Sequence, residues 1–143
     1  MLAGHLALIA AALFSGAAIY INFAEQPARL KLDDRSLLAQ WKPSYTRGFM
    51  MQAPLAVISG LLGLAAWWMT ARGAFAVGGL LMLSNVPWTF LGVMPTNRIL
   101  MRTDPALAGP QTRELIRKWN GLHAVRSVLG VVATVAFLSA VSQ

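Results

Sequence analysis

The sequence predicts an all-α integral membrane protein, a four-helix up-down bundle with an interfacial amphipathic helix between helices 1 and 2. Of its 143 residues, 57% are hydrophobic and only 12% are charged, whereas an average soluble domain has about 25% charged residues. Four apolar stretches are long enough to cross a bilayer as helices, which takes about 20 residues each. The whole chain, residues 1–143, is therefore expected to form one transmembrane domain.

Composition also excludes several classes of function. The chain has no cysteine, which excludes disulfides, thiolate metal sites and thiol redox chemistry. The net charge of +7 could suggest a nucleic-acid partner, but the basic residues fall in connecting segments, which is the topology signal of a membrane protein. We therefore expect no nucleic-acid partner. The first apolar stretch has no basic segment before it and no clear cleavage site after it, so we expect a retained helix.

Polar residues and prolines interrupt the predicted spans. The spans are Leu2–Phe23, Phe49–Met69, Phe75–Met94 and Trp119–Val141. Apart from His5, at the far end of the first span, the interruptions in the first three spans are Asn22, Gln52, Pro54, Asn85 and Pro87.

Short connections favour antiparallel packing of successive helices.

The connections alternate in charge, and this alternation predicts the orientation. Ten of the twelve Lys and Arg residues lie in the first and third connections: Arg29, Lys31, Arg35, Lys42, Arg47, Arg98, Arg102, Arg113, Arg117 and Lys118. The second connection holds only Arg72. The positive-inside rule makes the basic side cytoplasmic. We expect both termini outside, in a bacterial inner membrane.

The first connection is expected to contain the interfacial helix. Asp33 and Asp34 can cap a short helix that runs through Trp41, and Pro43 is expected to end it. The apolar residues of this helix are spaced i, i+1, i+4, and they are Leu37, Leu38 and Trp41. Trp41 would lie at the level of the lipid headgroups.

The segment that opens the fourth span carries the densest group of side chains able to do chemistry. Trp119, His123 and Arg126 are spaced i, i+4, i+7 and share one helix face. An ionisable side chain within the bilayer costs free energy, and its presence there is by default interpreted as functional. Polar residues of the other three helices reach the same end of the bundle, and they are Asn22, Glu25, Gln52 and Asn97. This arrangement predicts a pocket at the cytoplasmic end.

His123 and Arg126 each allow a structural and a functional interpretation. His123 is suited to proton transfer, or it is a bundle histidine bonded to a neighbouring helix. Arg126 cannot neutralise itself by losing a proton and needs an anion. That anion is Glu25 in a pair that fixes helix register, a lipid phosphate, or a substrate oxyanion.

No cofactor is expected, although a metal alternative is left open. Glu25 and His123 could offer two metal ligands, but two are too few and the spacing shows no metal motif. Asn97 follows Pro95 and either caps the third helix or holds a carbonyl or an oxygen species. Trp119 is expected to be partly an interfacial anchor and partly a pocket wall.

Several short stretches together carry a family resemblance over nearly the whole chain. The most specific are Met94–Arg98 and Trp119–Arg126. The others are Gly16–Ala18, Asn22, Pro27–Arg29, Trp41–Tyr45, Met51–Pro54 and Asn85–Thr89. With these stretches the sequence resembles the family of small four-helix membrane proteins that includes the fungal anthrone oxygenases.

The resemblance implies an activity and a set of residues. Characterised members oxidise a tricyclic anthrone to an anthraquinone with molecular oxygen, without metal or flavin. The expected catalytic residues are Asn97, Trp119, His123 and Arg126, and the expected substrate-binding residues are Asn22, Glu25, Gln52 and Trp88. Gln26 stands where the family often has histidine, which weakens any second-base or metal proposal.

Physical chemistry is compatible with this activity. His123 could take a proton from an activated methylene, Arg126 and Asn97 could stabilise the enolate, and the electron-rich anion could react with oxygen itself. A lipophilic substrate would enter from the bilayer and stack on Trp119. The alternative is a non-enzymatic membrane protein that binds a lipid, a small hydrophobic ligand or a partner protein, with Arg126 holding phosphate. A membrane lipid and a second copy of the chain remain open as partners.

Overall fold

Four long helices form the computed structural model, which describes all of residues 1–143. They are α1 (Leu2–Arg29), α2 (Asp34–Thr70), α3 (Gly73–Arg102) and α4 (Pro110–Val141), and each is long and apolar enough to cross a membrane. A short 3₁₀ turn, Pro105–Leu107, lies between α3 and α4. Each helix packs against the next one along the chain, and α4 packs against α1 to close the ring. The predicted all-α four-helix membrane bundle is confirmed.

Helices α1 and α3 each contain a π-helical turn followed closely by a proline. The turn spans Ile21–Glu25 in α1, before Pro27, and Thr89–Val93 in α3, before Pro95. Proline has no N–H to donate to the carbonyl one turn back, and the wider π turn lets the helix continue past that missing bond. Both helices therefore extend beyond their predicted ends.

Helix α2 is 37 residues long and runs unbroken through Pro43 and Pro54. It begins as predicted, because the Asp33 carboxylate accepts a hydrogen bond from the Ser36 N–H at 3.0 Å, and this bond lowers the pKa of Asp33. The predicted helix end at Pro43 is wrong. Side chains just before this proline are fully buried inside the protein, namely Leu37, Leu38 and Trp41. Their burial offsets the one backbone hydrogen bond that the proline removes.

The end of the bundle that holds both termini has a core in which small residues face aromatic ones. We call this cluster the terminal core, and it includes Ala7, Ala11, Phe14, Phe75, Met82, Ala133 and Phe137. A Cβ placed on Gly79 would lie 2.9 Å from the carbonyl oxygen of Gly60, and one placed on Gly78 would lie 2.5 Å from the Phe137 ring. Glycine therefore lets α3 approach α2 closely at Gly79 and makes room for the Phe137 ring of α4 at Gly78, as is typical of membrane helices.

A second core lies at the opposite end, and a polar layer separates the two cores. The loop-side core consists of Leu37, Leu38, Trp41, Val93, Leu100, Ile116 and Trp119. Between the two cores along the four helices lie Asn22, Gln52, Asn85, His123 and Arg126. We call these five residues the polar layer. Because apolar side chains cover it on both sides, its polar groups must find partners within the layer or in a ligand.

One arginine fastens α4 to the connection between α1 and α2. Arg113 Nε lies 2.5 Å from Asp34 Oδ1, and the two terminal nitrogens donate to the carbonyl oxygens of Leu30 at 2.8 Å and Leu32 at 2.5 Å. Three donors of one guanidinium therefore hold three points of this connection. Arg113 was counted among the connection charges, and the structure shows that it also braces the fold.

Candidate functional site

His123 is held by a hydrogen-bond network that fixes which of its nitrogens carries the proton. The side-chain nitrogen of Asn22 donates to the carbonyl and the side-chain oxygen of Asn120, at 3.0 and 2.7 Å, so Asn22 Oδ1 is left as an acceptor. It lies 2.6 Å from the Ser127 hydroxyl and 3.1 Å from His123 Nδ1. Nδ1 therefore donates to Asn22, and Nε2 is left as the basic nitrogen.

Trp119 packs against the imidazole. Its ring lies 4.9 Å from the His123 ring at an interplanar angle of 31°, and it meets Trp41 edge to face at 5.6 Å. The guanidinium carbon of Arg29 lies 6.0 Å from the same ring. Trp119 is buried, and these neighbours leave little of its surface for the predicted stacking of a substrate.

Arg126 is a buried cation with no anion beside it. Its side chain forms none of the ion pairs in the protein, and Nε has no hydrogen-bond acceptor. The guanidinium carbon lies 5.4 Å from the centre of the Phe14 ring, a cation–π contact that stabilises the charge only in part. A buried charge without a partner is costly. The unsatisfied donors of Arg126 therefore indicate a place for an anionic or strongly polar ligand.

Glu25, the predicted structural partner of Arg126, binds a different arginine. Glu25 Oε1 lies 2.5 Å from a terminal nitrogen of Arg29, one turn further along α1, and accepts a hydrogen bond from Gln40 at 3.3 Å. The predicted Glu25–Arg126 pair is not formed. Arg29 was assigned to the first connection, but the extension of α1 through Pro27 carries it into the bundle, where it is buried.

A small cavity of about 20 Å³ lies in the polar layer between α1, α2 and α4, room for about one water molecule. Its lining includes Glu25, Arg29, Tyr45, Phe49, Gln52, Trp119, His123 and Arg126. The amide group of Gln52 is buried, and neither its oxygen nor its nitrogen has a hydrogen-bond partner. The structure thus brings five of the eight predicted site residues together around one polar space, which we call the polar cavity.

A larger cavity of about 200 Å³ lies between α2 and α3, and we call it the α2–α3 cleft. It is lined by Phe49, Ala53, Ala56, Val57, Asn85, Val86, Thr89, Phe90 and Arg126. Phe49 and Arg126 line both the cleft and the polar cavity. These two side chains therefore mark the boundary between a mainly apolar space and a polar one.

Three predicted site residues line neither cavity. Asn22 acts through its bond to His123. Trp88 donates from Nε1 to the Leu122 carbonyl at 3.0 Å and so ties α3 to α4. Asn97 is buried with both atoms of its amide unpartnered. The structure thus places Asn22 against His123 and Trp88 in helix packing. Asn97 lies near the hydroxyl group of Tyr45, which lines the polar cavity.

The metal alternative that the sequence left open on Glu25 and His123 is wrong. No three His, Cys, Asp or Glu side chains come together anywhere in the chain, whereas protein zinc sites use three or four such ligands. Glu25 is paired with Arg29, and His123 Nδ1 faces Asn22. The donor set of the polar layer consists of amides, a guanidinium and one imidazole, which suits hydrogen bonding and proton transfer.

Sequence reasoning missed three residues of this site. Asn120 and Ser127 lie three residues before and four residues after His123, so helical spacing on α4 places both beside it and could have found them. Arg29 lies four residues after Glu25, and the same rule would have paired these two had the end of α1 been placed beyond Phe23. Gln26, noted in the sequence, donates to the Ile116 carbonyl at 3.0 Å and links α1 to α4.

Comparisons with known proteins connect this geometry to one family. A family model described as anthrone oxygenase matches residues 41–136. The chain is 28% identical to an anthrone oxygenase of Claviceps purpurea over 97% of this chain and 88% of that protein. It is 30% identical to an anthrone oxygenase of Aspergillus fumigatus over 90% of this chain and 86% of that protein. No solved structure matches the chain.

Proposed function

The chain belongs to the anthrone oxygenase family, and from this membership we propose that it is a cofactor-independent oxygenase of membrane-soluble, anthrone-like aromatic ketones. The observation that carries the proposal is the combination of a fixed base and an unpaired cation at one cavity. His123 and Arg126 both line the polar cavity, and Arg126 has no protein anion. A substrate that becomes an oxyanion during the reaction supplies the missing partner.

His123 is assigned the removal of a proton. Its Nε2 takes a proton from the methylene carbon of the substrate, and the electron pair of that C–H bond moves onto the carbonyl oxygen to give an enolate. Asn22, which accepts from Nδ1, favours the resulting imidazolium and holds its orientation. Positioned general bases contribute about 10²- to 10⁴-fold to rate.

Arg126 is assigned the stabilisation of the enolate oxygen. The polar layer lies between two apolar cores, where an interaction between opposite charges is stronger than in water. Donors already in place for a charge that develops in the transition state give large rate effects. Gln52 faces the same cavity with an unpartnered amide, so we give it the role of second donor in preference to Asn97, which lines neither cavity.

The electron-rich enolate then reacts with molecular oxygen without a further reductant. A C–O bond forms at the former methylene carbon to give a peroxide anion, which the His123 imidazolium protonates. Loss of the second proton from the same carbon, again to His123, accompanies cleavage of the O–O bond and forms the new carbonyl. The hydroxide that leaves takes up this proton, so one CH₂ group and one O₂ give one C=O group and one water.

Turnover of a simple substrate tests this proposal. We expect the full chain in phosphatidylcholine nanodiscs to convert anthrone to anthraquinone faster than protein-free nanodiscs do, with one O₂ consumed per quinone. His123→Gln should lower this rate by about 100-fold or more, because the base is lost. Quinone absorbance and an oxygen electrode provide the two measurements.

The second histidine provides the matched control. His5 is exposed at the opposite end of α1, where Nδ1 bonds to the Met1 carbonyl, and His5→Gln should leave the rate unchanged. Quinone formation no faster than in protein-free nanodiscs would contradict the proposal. A rate that falls equally in both histidine variants would contradict the role of His123.

A further inference from the structure

The size of the polar cavity restricts where a ligand can lie. At about 20 Å³ it has room for about one water molecule, which is far too little for a fused aromatic ring system. Trp119, at its wall, is already covered by His123 and Trp41. Most of the ring system of a substrate must therefore lie outside the polar cavity.

The α2–α3 cleft offers the space that the polar cavity lacks. It encloses about 200 Å³, about ten times the volume of the polar cavity. Its walls are mainly apolar, with Ala53 and Val57 on α2 and Val86 and Phe90 on α3. Arg126 lines the cleft as well as the polar cavity. An oxyanion bound to Arg126 can thus belong to a molecule whose outer rings extend into the cleft.

Asn85 adds a second polar feature to the cleft. Its side-chain nitrogen donates to the carbonyls of Leu81 and Met82 on its own helix, at 3.3 and 3.1 Å. These two bonds fix the orientation of the amide, since the opposite orientation would place its oxygen against two carbonyl oxygens. Asn85 Oδ1 is then buried and has no donor. Asn85 thus lines the cleft with an acceptor that has no donor in the protein, and a hydroxyl group that reaches this oxygen from the cleft would satisfy it.

We propose that the α2–α3 cleft binds the rings of the substrate and that Asn85 Oδ1 accepts a hydrogen bond from a hydroxyl group on a ring. The inference rests on the proposed function, because it places the central ring of the substrate at the boundary that Arg126 marks. The carbonyl and the methylene lie on opposite edges of that ring, so one can face Arg126 while the other faces His123. It makes Asn85 a specificity-determining residue. The ligand class is a flat aromatic ketone with a hydroxyl on an outer ring, since a ring without a donor leaves the buried oxygen unpaired.

Two probes and three variants test this assignment. Anthrone and 2-hydroxyanthrone are titrated under anaerobic conditions against the full chain in nanodiscs, with quenching of tryptophan fluorescence as the readout of Kd. We expect Asn85→Leu to raise the Kd of 2-hydroxyanthrone by about tenfold, the equivalent of one hydrogen bond. The Kd of anthrone should change by less than about threefold.

Substitutions at two valines distinguish binding in the cleft from binding at other lipid-facing surfaces. Val57 in the cleft and Val125 in a shallow groove between α3 and α4 are both 37% exposed. Val57→Phe fills the cleft and should raise the Kd of both probes by about tenfold or more, whereas Val125→Phe should leave both unchanged. Thermal unfolding of each variant checks that the bundle is intact.

Several results would overturn the inference. They are a wild-type protein that binds neither probe, an Asn85→Leu variant that weakens both probes equally, and a Val57→Phe variant that binds both as the wild type does. Binding without oxygen is independent of turnover. If the variants change the Kd values as expected but the protein forms no quinone, the cleft is the binding site and the proposed oxygenase activity is rejected. If the protein forms quinone but the variants leave the Kd values unaltered, the oxygenase activity stands and the cleft assignment is rejected.

Discussion

His123 and Arg126 lie one turn apart on α4, yet the protein satisfies them in opposite ways. His123 is bonded at Nδ1 to an asparagine that other donors and acceptors hold in place. Arg126 is bonded to nothing but an aromatic face. A permanently charged group in this state lowers the stability of the fold, because burying an unpaired charge costs several kcal/mol. The proposed function accounts for this cost, because it gives Arg126 an anion to bind during the reaction.

The sequence predicted this face of α4 but not the partners of its residues. Helical spacing places Trp119, His123 and Arg126 together, and all three are buried on α4. Of the three alternatives for the anion of Arg126, the pair with Glu25 was wrong, because Arg29 lies nearer to Glu25. Whether Glu25 binds Arg29 or Arg126 depends on where α1 ends. Helix α1 continues past Pro27, whereas a sequence pattern treats a proline as the boundary of a helix.

Among the helices, prolines explain most differences between prediction and structure. Three of the four helices contain proline beyond their first turn, and none of the three ends there. Hydrophobic length predicted the four spans well, because a bilayer sets a minimum length. It could not predict the extensions, because these depend on tertiary burial around Trp41 and Trp119, which outweighs local propensity.

Arg113 provides a test of how the connection between α1 and α2 is held. Arg113→Ala removes three charge-assisted hydrogen bonds and should lower the free energy of unfolding by about 2–3 kcal/mol, given about 1.5–3 kcal/mol for hydrogen bonds to charged groups and partial exposure here. Equilibrium unfolding in detergent micelles measures the change.

Arg117 is the matched comparison for Arg113. It lies four residues later on α4 and pairs with Glu114 at 3.5 Å on the protein surface. Arg117→Ala should change the free energy of unfolding by no more than about 0.5 kcal/mol, because exposed pairs contribute little. Equal losses in the two variants would show that Arg113 does not brace the connection.

For the molecule as a whole, the arrangement of two apolar cores around one polar layer explains why the site lies where it does. The sequence predicted that polar residues meet at one end of the bundle, since they occur at similar depths in antiparallel spans. It could not predict the α2–α3 cleft. Cavities form where side-chain volumes do not fill the space between helices, and here alanines of α2 lie across from Asn85 and Thr89 of α3.

Charge distribution predicts the orientation of the bundle in the membrane. The end of the bundle that holds the site carries ten of the twelve basic residues, so we propose that this end is cytoplasmic and that both termini are outside. Reporter fusions made after Arg72 should be external, and those made after Arg102 should be cytoplasmic. The opposite location at both positions would reverse the orientation and place the polar cavity near the outer face.

The charge of Arg126 is the feature on which the proposed chemistry depends most. If this charge is kept for a substrate oxyanion, Arg126→Gln removes an unpaired buried cation and should leave the thermal unfolding temperature unchanged or raised. The same variant should lose about 100-fold or more in the rate of anthraquinone formation. Arg126→Lys should restore little of it, because an ammonium does not reproduce the planar guanidinium.

The most direct test therefore measures unfolding temperature and turnover together on the Arg126→Gln variant in nanodiscs. Arg117→Gln, at an exposed position on the same helix, serves as the control and should behave as the wild type in both measurements. We expect Arg126→Gln to be as stable as the wild type and nearly inactive. A variant that forms quinone at the wild-type rate would contradict the assignment, and so would a variant that loses activity only because it unfolds at a much lower temperature than the wild type.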